Sequence, residues 1–174
     1  YVFRTSFGQQ FSMPKIANYI RDELKAKTVA LIWVNNDFGK GGRDNLLKQL
    51  AERNIKLVAD VSTESGQVDF AADVVKLKAA NADAVFVYSN EEECARIMRE
   101  ARKQGLKGPF VGDTTLLSQK TIELAGDAGG RQRGARAVQR VGEAEGAVAL
   151  HRLAHLGEGL AGHRLHVLQL ARGA

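Results

Sequence analysis

The chain has 174 residues, with 25 Lys and Arg against 20 Asp and Glu, a formal charge of +5 and a pI near 9.5. That balance would ordinarily point to a nucleic-acid or anionic-surface partner. Here seven Arg against three Glu in residues 131–174 supply most of it, and residues 1–130 are close to neutral, so no basic binding face and no nucleic-acid partner is expected. Cys94 is the single cysteine, which excludes an intramolecular disulfide and a cysteine metal cage, and no apolar run is long enough to insert in a membrane.

In chain order, a helix is expected from Ser12 to Ala26, with Ser12 or a neighbour as cap and Pro14 in the first turn. Thr28 to Val34 (TVALIWV) is a continuous apolar, β-branched run ending in Asn35-Asn36-Asp37, the pattern of a fully buried parallel strand. Phe38 to Arg53 places Leu46, Leu47, Leu50 and Ala51 at helical spacing. Lys56 to Ser62 alternates as a strand, and Asp69 to Ala80 carries Phe70, Val74, Val75 and Leu77 on one helical face. Asp83 to Tyr88 is a third strand, Glu91 to Gln104 a helix stopped by Gly105, Pro109 to Gly112 a short fourth strand, and Ser118 to Ala125 a last helix.

Strands alternating with helices of this length predict an α/β fold, a Rossmann-like parallel sheet with helices on both faces and right-handed crossovers. In such sheets a ligand sits outside the carboxyl ends of the strands. That rule selects Asn35 to Phe38, Ser89-Asn90 and Asp113-Thr114-Thr115, polar ends on apolar strands, with Phe38 offering a stacking surface.

Phe38-Gly39-Lys40-Gly41-Gly42 opens a helix after a strand and invites a phosphate-cradle reading. Four non-glycine residues separate its first glycine from the strand, however, and neither the dinucleotide nor the Walker spacing is present. Asp113 can hold a ligand ammonium or cap the turn that follows it, and both roles stay open. Glu91-Glu92-Glu93 begins a helix, where acidic residues complement the macrodipole, and capping is the role expected of them. Cys94 falls on the buried stripe of its helix and is read as a core residue. His151 and His155 have the i, i+4 spacing of a zinc helix but lack the accompanying Glu, so no metal site is expected. Residues 1–130 contain no His and no nucleophile–base pair, and apart from Asp37 and Asp113 no carboxylates are paired at matching strand ends, so neither an enzyme nor a cofactor site is expected.

Phe3-Arg4-Thr5-Ser6, TVALIWVNNDFGKG, DFAADVVKLKAANADAVFV, ARIMREARKQGLKGPFVGD and ELAGDA follow one another from Phe3 to Ala128. Together they resemble the type I periplasmic binding proteins of branched-chain amino acid ABC transporters. The resemblance implies one lobe of a two-lobe clamp: residues 1–130 as the second lobe with its entering hinge strand, and the first lobe missing from the chain. It implies an amino acid or amide ligand, an ABC permease as partner, a periplasmic or exported location although Tyr1-Val2-Phe3-Arg4 opens without a signal-peptide pattern, and ligand-facing residues Phe38, Ser89, Asn90, Asp113 and Thr114. Asp113 lies where family members place an acidic group near the ligand ammonium. Members with aromatic residues just after the third strand stack them on the ligand, whereas Asn90 and Glu91 stand there in this chain. The rival expectations are a nucleotide-using Rossmann-type enzyme domain and the effector lobe of a sensor or regulator.

Residues 131–174 use only Arg, Gln, Gly, Ala, Val, Glu, Leu and His, all of which have codons beginning in G or C. A GC-rich gene read out of frame gives that composition. The second codon bases of Arg131 to Ala137, taken as first bases, are compatible with Ala-Asn-Gly-Ala-Arg-Ala-His, a continuation common in the resembled family. Residues 131–174 are therefore expected to be a frameshifted, basic, low-complexity tail with little order.

Overall fold

A computed structural model describes residues 8–129 and the backbone of residues 148–150. The Phe3-Arg4-Thr5-Ser6 motif and the His151/His155 pair lie outside the described residues, as does the remainder of the tail. The elements are α1 (Gln9–Asp22), β1 (Thr28–Val34), α2 (Asp37–Glu52), β2 (Lys56–Thr63), α3 (Ala71–Ala79), β3 (Ala84–Tyr88), α4 (Glu91–Lys103), β4 (Phe110–Gly112), α5 (Thr114–Leu117), α6 (Gln119–Ala125), a 3₁₀ turn (Gly126–Gly129) and β5 (Val148–Leu150).

The sheet order is β2-β1-β3-β4-β5. β1 runs parallel to β2 and to β3, with Trp33 opposite Tyr88, and β3 runs parallel to β4, with Val85 opposite Phe110. This is the α/β parallel sheet that the alternating pattern predicts, with an antiparallel edge added to it. The backbone of Val148–Leu150 pairs antiparallel to β4, Phe110 opposite Leu150. A fifth strand was not anticipated from the sequence. The short β4 would otherwise present unpaired backbone groups at the sheet edge, and β5 satisfies them.

Period-two alternation sends the two faces of β1 into different cores. Val29, Leu31 and Trp33 pack with Phe86, Tyr88 and Val111 against α1 and α2, where Met13, Ile16, Ile20, Leu46 and Leu50 are buried. Ala30 and Ile32 pack with Val85 and Val87 against the other helices, with Val74, Leu77, Ile97, Met98 and Leu116. Each fully buried Leu or Ile stabilises the fold by about 1.5–3 kcal/mol. Cys94 belongs to the second core, and burial pushes its thiol up to about 12, as the core reading expects.

One helix start differs from expectation, and one short helix is added. α1 starts at Gln9 with Gly8 as its cap, so Pro14 sits beyond the first turn and Ser12 is turned inward. The helix expected from Ser118 to Ala125 is present as α6, and a short helix that was not anticipated, α5, precedes it. Asp113 accepts from the Thr114 amide to start α5, and the Ser118 hydroxyl accepts from the Thr121 amide at 3.1 Å to start α6. Each short polar side chain captures a backbone donor locally and so starts its own short helix.

Candidate functional site

β1 leads to β2 on one side of the sheet, while β3 lies on the other, so the loops leaving β1 and β3 diverge at their carboxyl ends, the position at which sheets of this kind take a ligand. Asn36 caps α2 by accepting from the Gly39 amide at 2.8 Å, which fixes the first turn of α2 at that edge. Phe38 in this turn is 39% exposed, and its ring lies 4.4 Å from that of Tyr88, the last residue of β3, with the planes 17° apart. The Gln9 amide nitrogen of α1 donates to the Phe38 carbonyl at 2.9 Å and to the Tyr88 hydroxyl at 2.8 Å.

The glycines after Phe38 serve close packing. A Cβ at position 39 would lie 1.7 Å from the Val34 carbonyl oxygen, and one at position 42 would lie 2.1 Å from a Tyr88 ring carbon. The Gly39 amide is already engaged by Asn36, so the turn does not present the free run of amides that a phosphate cradle requires.

At the β3 end, Ser89 is fully buried and its hydroxyl donates to the Glu93 carboxylate. Glu93 also accepts from the Asn90 amide at 3.2 Å, the Asn90 side chain at 3.0 Å and the Gly66 amide at 2.6 Å. Burial pushes the Glu93 carboxyl up, but the bonds from Ser89, Gly66 and Asn90 outweigh it and hold the group below its ordinary value. Ser89 therefore supports the turn from inside, and the residue of this pair that reaches the surface is Asn90.

At the β4 end, Asp113 is 9% exposed. One oxygen accepts from the Thr114 amide at 2.7 Å and the other from the buried Ser12 hydroxyl at 3.0 Å. Burial raises the Asp113 carboxyl above its ordinary value, opposed by the Thr114 amide and the Ser12 hydroxyl. Thr114 is exposed beside it. Asp113 thus caps the turn, and a carboxylate with two of about four acceptor positions filled retains capacity for another donor.

An open groove of about 620 Å³ lies alongside, lined among others by Asn90, Glu91, Glu92, Arg96, Thr115 and Lys120. Lys120 pairs with Glu92 at 3.1 Å, and Arg96 approaches the same carboxylate at 4.0 Å. Of the five residues expected to face ligand, Asn90 lines this groove. Phe38, Ser89, Asp113 and Thr114 are not among its lining residues, and the five stand along one sheet edge, at the carboxyl ends of β1, β3 and β4.

Four residues at this edge have roles that were not anticipated: Gln9, Ser12, Tyr88 and Glu93. Glu93 was expected to cap its helix and does so in a capping box with Asn90, three residues before it; what the sequence did not show is its bonds to Ser89 and to the Gly66 amide. Tyr88 was assigned to its strand without a role at the strand end. Gln9 and Ser12 arrive from a helix far away in the chain, and no local pattern marks them. Among the described residues no group of three or more His, Cys, Asp or Glu side chains is gathered to hold a metal, and no helix is long and apolar enough to cross a membrane.

Comparison with known proteins places the chain in a family. An amino acid binding protein of Pseudomonas aeruginosa is 36% identical over 115 residues, 66% of this chain and 30% of that protein. A Leu/Ile/Val-binding protein homolog of Brucella abortus is 31% identical over 126 residues, 72% of this chain and 34% of that protein. Among solved structures, the branched-chain amino acid transporter substrate binding protein of Streptococcus pneumoniae, in complex with isoleucine, superposes with a TM-score of 0.63. It is 30% identical, and the match covers 72% of this chain and 35% of that one. A leucine binding protein of Thermotoga maritima gives a TM-score of 0.68 at 25% identity, over 72% of this chain and 36% of that one. The chain therefore spans about a third of the length of these relatives. A sequence profile described as "Periplasmic binding protein" matches residues 1–147, and with that match the chain belongs to the periplasmic binding protein family.

Proposed function

We propose that this chain is a non-catalytic solute-binding lobe whose carboxyl sheet edge takes an amino acid, branched-chain or a related small polar solute, for delivery to an ABC permease. Phe38 contributes apolar contact, Asn90 and Thr114 hydrogen bonds, and Asp113 an acceptor for the ligand ammonium, with Ser89 supporting the Asn90 turn. The observation that carries this reading is a nearly buried Asp113 at the same strand edge as an exposed aromatic, in a chain related to a protein crystallised with isoleucine. In that reading the whole protein is exported and a further lobe completes the clamp. Residues 131–174 are then out-of-frame sequence. Reading the gene one base later from codon 131 tests that last point, and Ala-Asn-Gly-Ala-Arg-Ala is the expected result; His cannot follow as the seventh, because every Val138 codon opens with G and His codons end in a pyrimidine, and any other first six residues contradict the frameshift.

A single lobe leaves half of the ligand in water, and affinity suffers accordingly. Titration calorimetry of the 174-residue chain with leucine, isoleucine, valine, glutamate and short amides is expected to show binding weaker than micromolar, on the order of millimolar or about −4 kcal/mol. A thermal-shift response to NAD, NADP or ATP with none to amino acids contradicts the proposal.

A further inference from the structure

The first turn of α1 reaches across the carboxyl edge of the sheet. Gln9 joins the ends of β1 and β3 through the Phe38 carbonyl and the Tyr88 hydroxyl, and Ser12 joins the end of β4 through Asp113. Ser12 is fully buried, and its hydroxyl donates to Asp113 Oδ2 from 101 residues away in sequence. It does not cap its own helix, the use for which Ser is favoured near a helix start, because Gly8 holds that position. The Thr114 amide fixes Asp113 Oδ1. A carboxylate held at both oxygens by donors on two different elements is fixed in rotation, and its remaining lone pairs have a set direction.

We propose that Ser12 is a positioning residue for ligand binding: its hydroxyl orients the Asp113 carboxylate so that the unused lone pairs meet the ammonium group of an amino acid ligand. This rests on the reading of Asp113 as ammonium acceptor. The electrostatics agree with the geometry. Burial alone favours the uncharged acid, which cannot attract a cation as strongly, and the Ser12 hydroxyl is one of two hydrogen bonds that oppose this. Ser12 thus keeps the charge as well as the direction of a carboxylate that would otherwise tend to take up a proton.

The test compares the 174-residue chain with Ser12→Ala and Ser12→Thr. Two NMR readouts are used: the affinity for L-isoleucine and for its deaminated analogue 3-methylpentanoate, and the titration midpoint of the Asp113 carboxyl carbon. Ser12→Ala is expected to weaken isoleucine binding roughly three- to tenfold. It should leave 3-methylpentanoate unaffected and move the Asp113 midpoint upward, and Ser12→Thr should restore both. Should Ser12→Ala fail to fold, Ser12→Cys keeps the volume with a weak donor and is expected to give the same two changes. Unchanged isoleucine affinity together with an unchanged Asp113 midpoint overturns the role of Ser12 while leaving Asp113 as acceptor. If the unsubstituted chain fails to prefer isoleucine over 3-methylpentanoate, Asp113 does not take the ammonium, and both ideas fall.

Discussion

The ring of Phe38 lies against the ring of Tyr88 at 4.4 Å, so the first turn of α2 is fastened to the last residue of β3 at the point where the strand order reverses. The contact gives a partly exposed aromatic a defined position, which a ligand surface needs. Aromatic pairs contribute about 0.5–1.5 kcal/mol beyond the area they bury. Phe38→Ala is expected to cost about 1–2 kcal/mol in urea unfolding followed by the fluorescence of Trp33, and to weaken the amino acid response. Unchanged stability would mean that the stack does not hold the turn.

Gly39 and Gly42 lie inside α2, where Gly→Ala normally stabilises a helix by about 0.5–1 kcal/mol. Here the sign reverses, because the added methyl meets the Val34 carbonyl or the Tyr88 ring. Gly42→Ala is expected to destabilise by about 1–3 kcal/mol, and Gly39→Ala by more, since backbone cannot yield as a side chain can. A raised melting temperature in either variant would show that the close packing is wrong.

Glu93 gathers the ends of β3 and α4 and the loop after β2. Its folded-state carboxyl is held below its ordinary value, so it contributes stability that is fully present above the unfolded-state value near 4.5 and is lost as pH falls through the lower folded value. Glu93→Gln turns an amide toward donors that need an acceptor and is expected to cost about 2–3 kcal/mol at neutral pH. It should also flatten the loss of stability below pH 4.5 measured by chemical denaturation. An acid profile identical in both chains would remove Glu93 as its source.

Asp113 has the opposite sign. Burial raises its carboxyl in the folded chain, so protonation favours folding. Its contribution is fully present below the unfolded value near 3.8 and is lost as pH rises through the folded value. Asp113→Asn removes this slope, so the difference in stability between variant and parent should shift in favour of the variant as pH rises through that window. The same variant should lose amino acid binding. A constant difference from pH 3 to 7 would contradict the raised value.

The fold was legible in the sequence because its signals are local. TVALIWV and AVFVY are unbroken apolar runs, and the stripe through Cys94, Ile97, Met98 and Ala101 has the helical period, so strands and helices could be placed before their partners were known. The carboxyl edge followed from the alternation alone. β5 and the supporting part of the site were not legible, because they depend on contacts between distant segments. The Ser12 hydroxyl finds its acceptor 101 residues later, and Ser89 was read as a surface turn until the Glu93 carboxylate drew it inward. Asp113 was open between capping and ligand recognition, and its contacts show why residue type alone could not decide: the capping bond uses one oxygen and leaves acceptor capacity.

The central claim is that this lobe takes an amino acid at its carboxyl edge. A ¹⁵N–¹H correlation spectrum of the 174-residue chain, titrated with L-isoleucine to the solubility limit, tests it most directly. Saturable shifts at the amides of Phe38, Asn90, Asp113 and Thr114, with α3 unmoved, are the predicted result. Shifts confined to the separate groove between Phe70, Arg99 and Asp127, or no saturable shift at all, would contradict the claim.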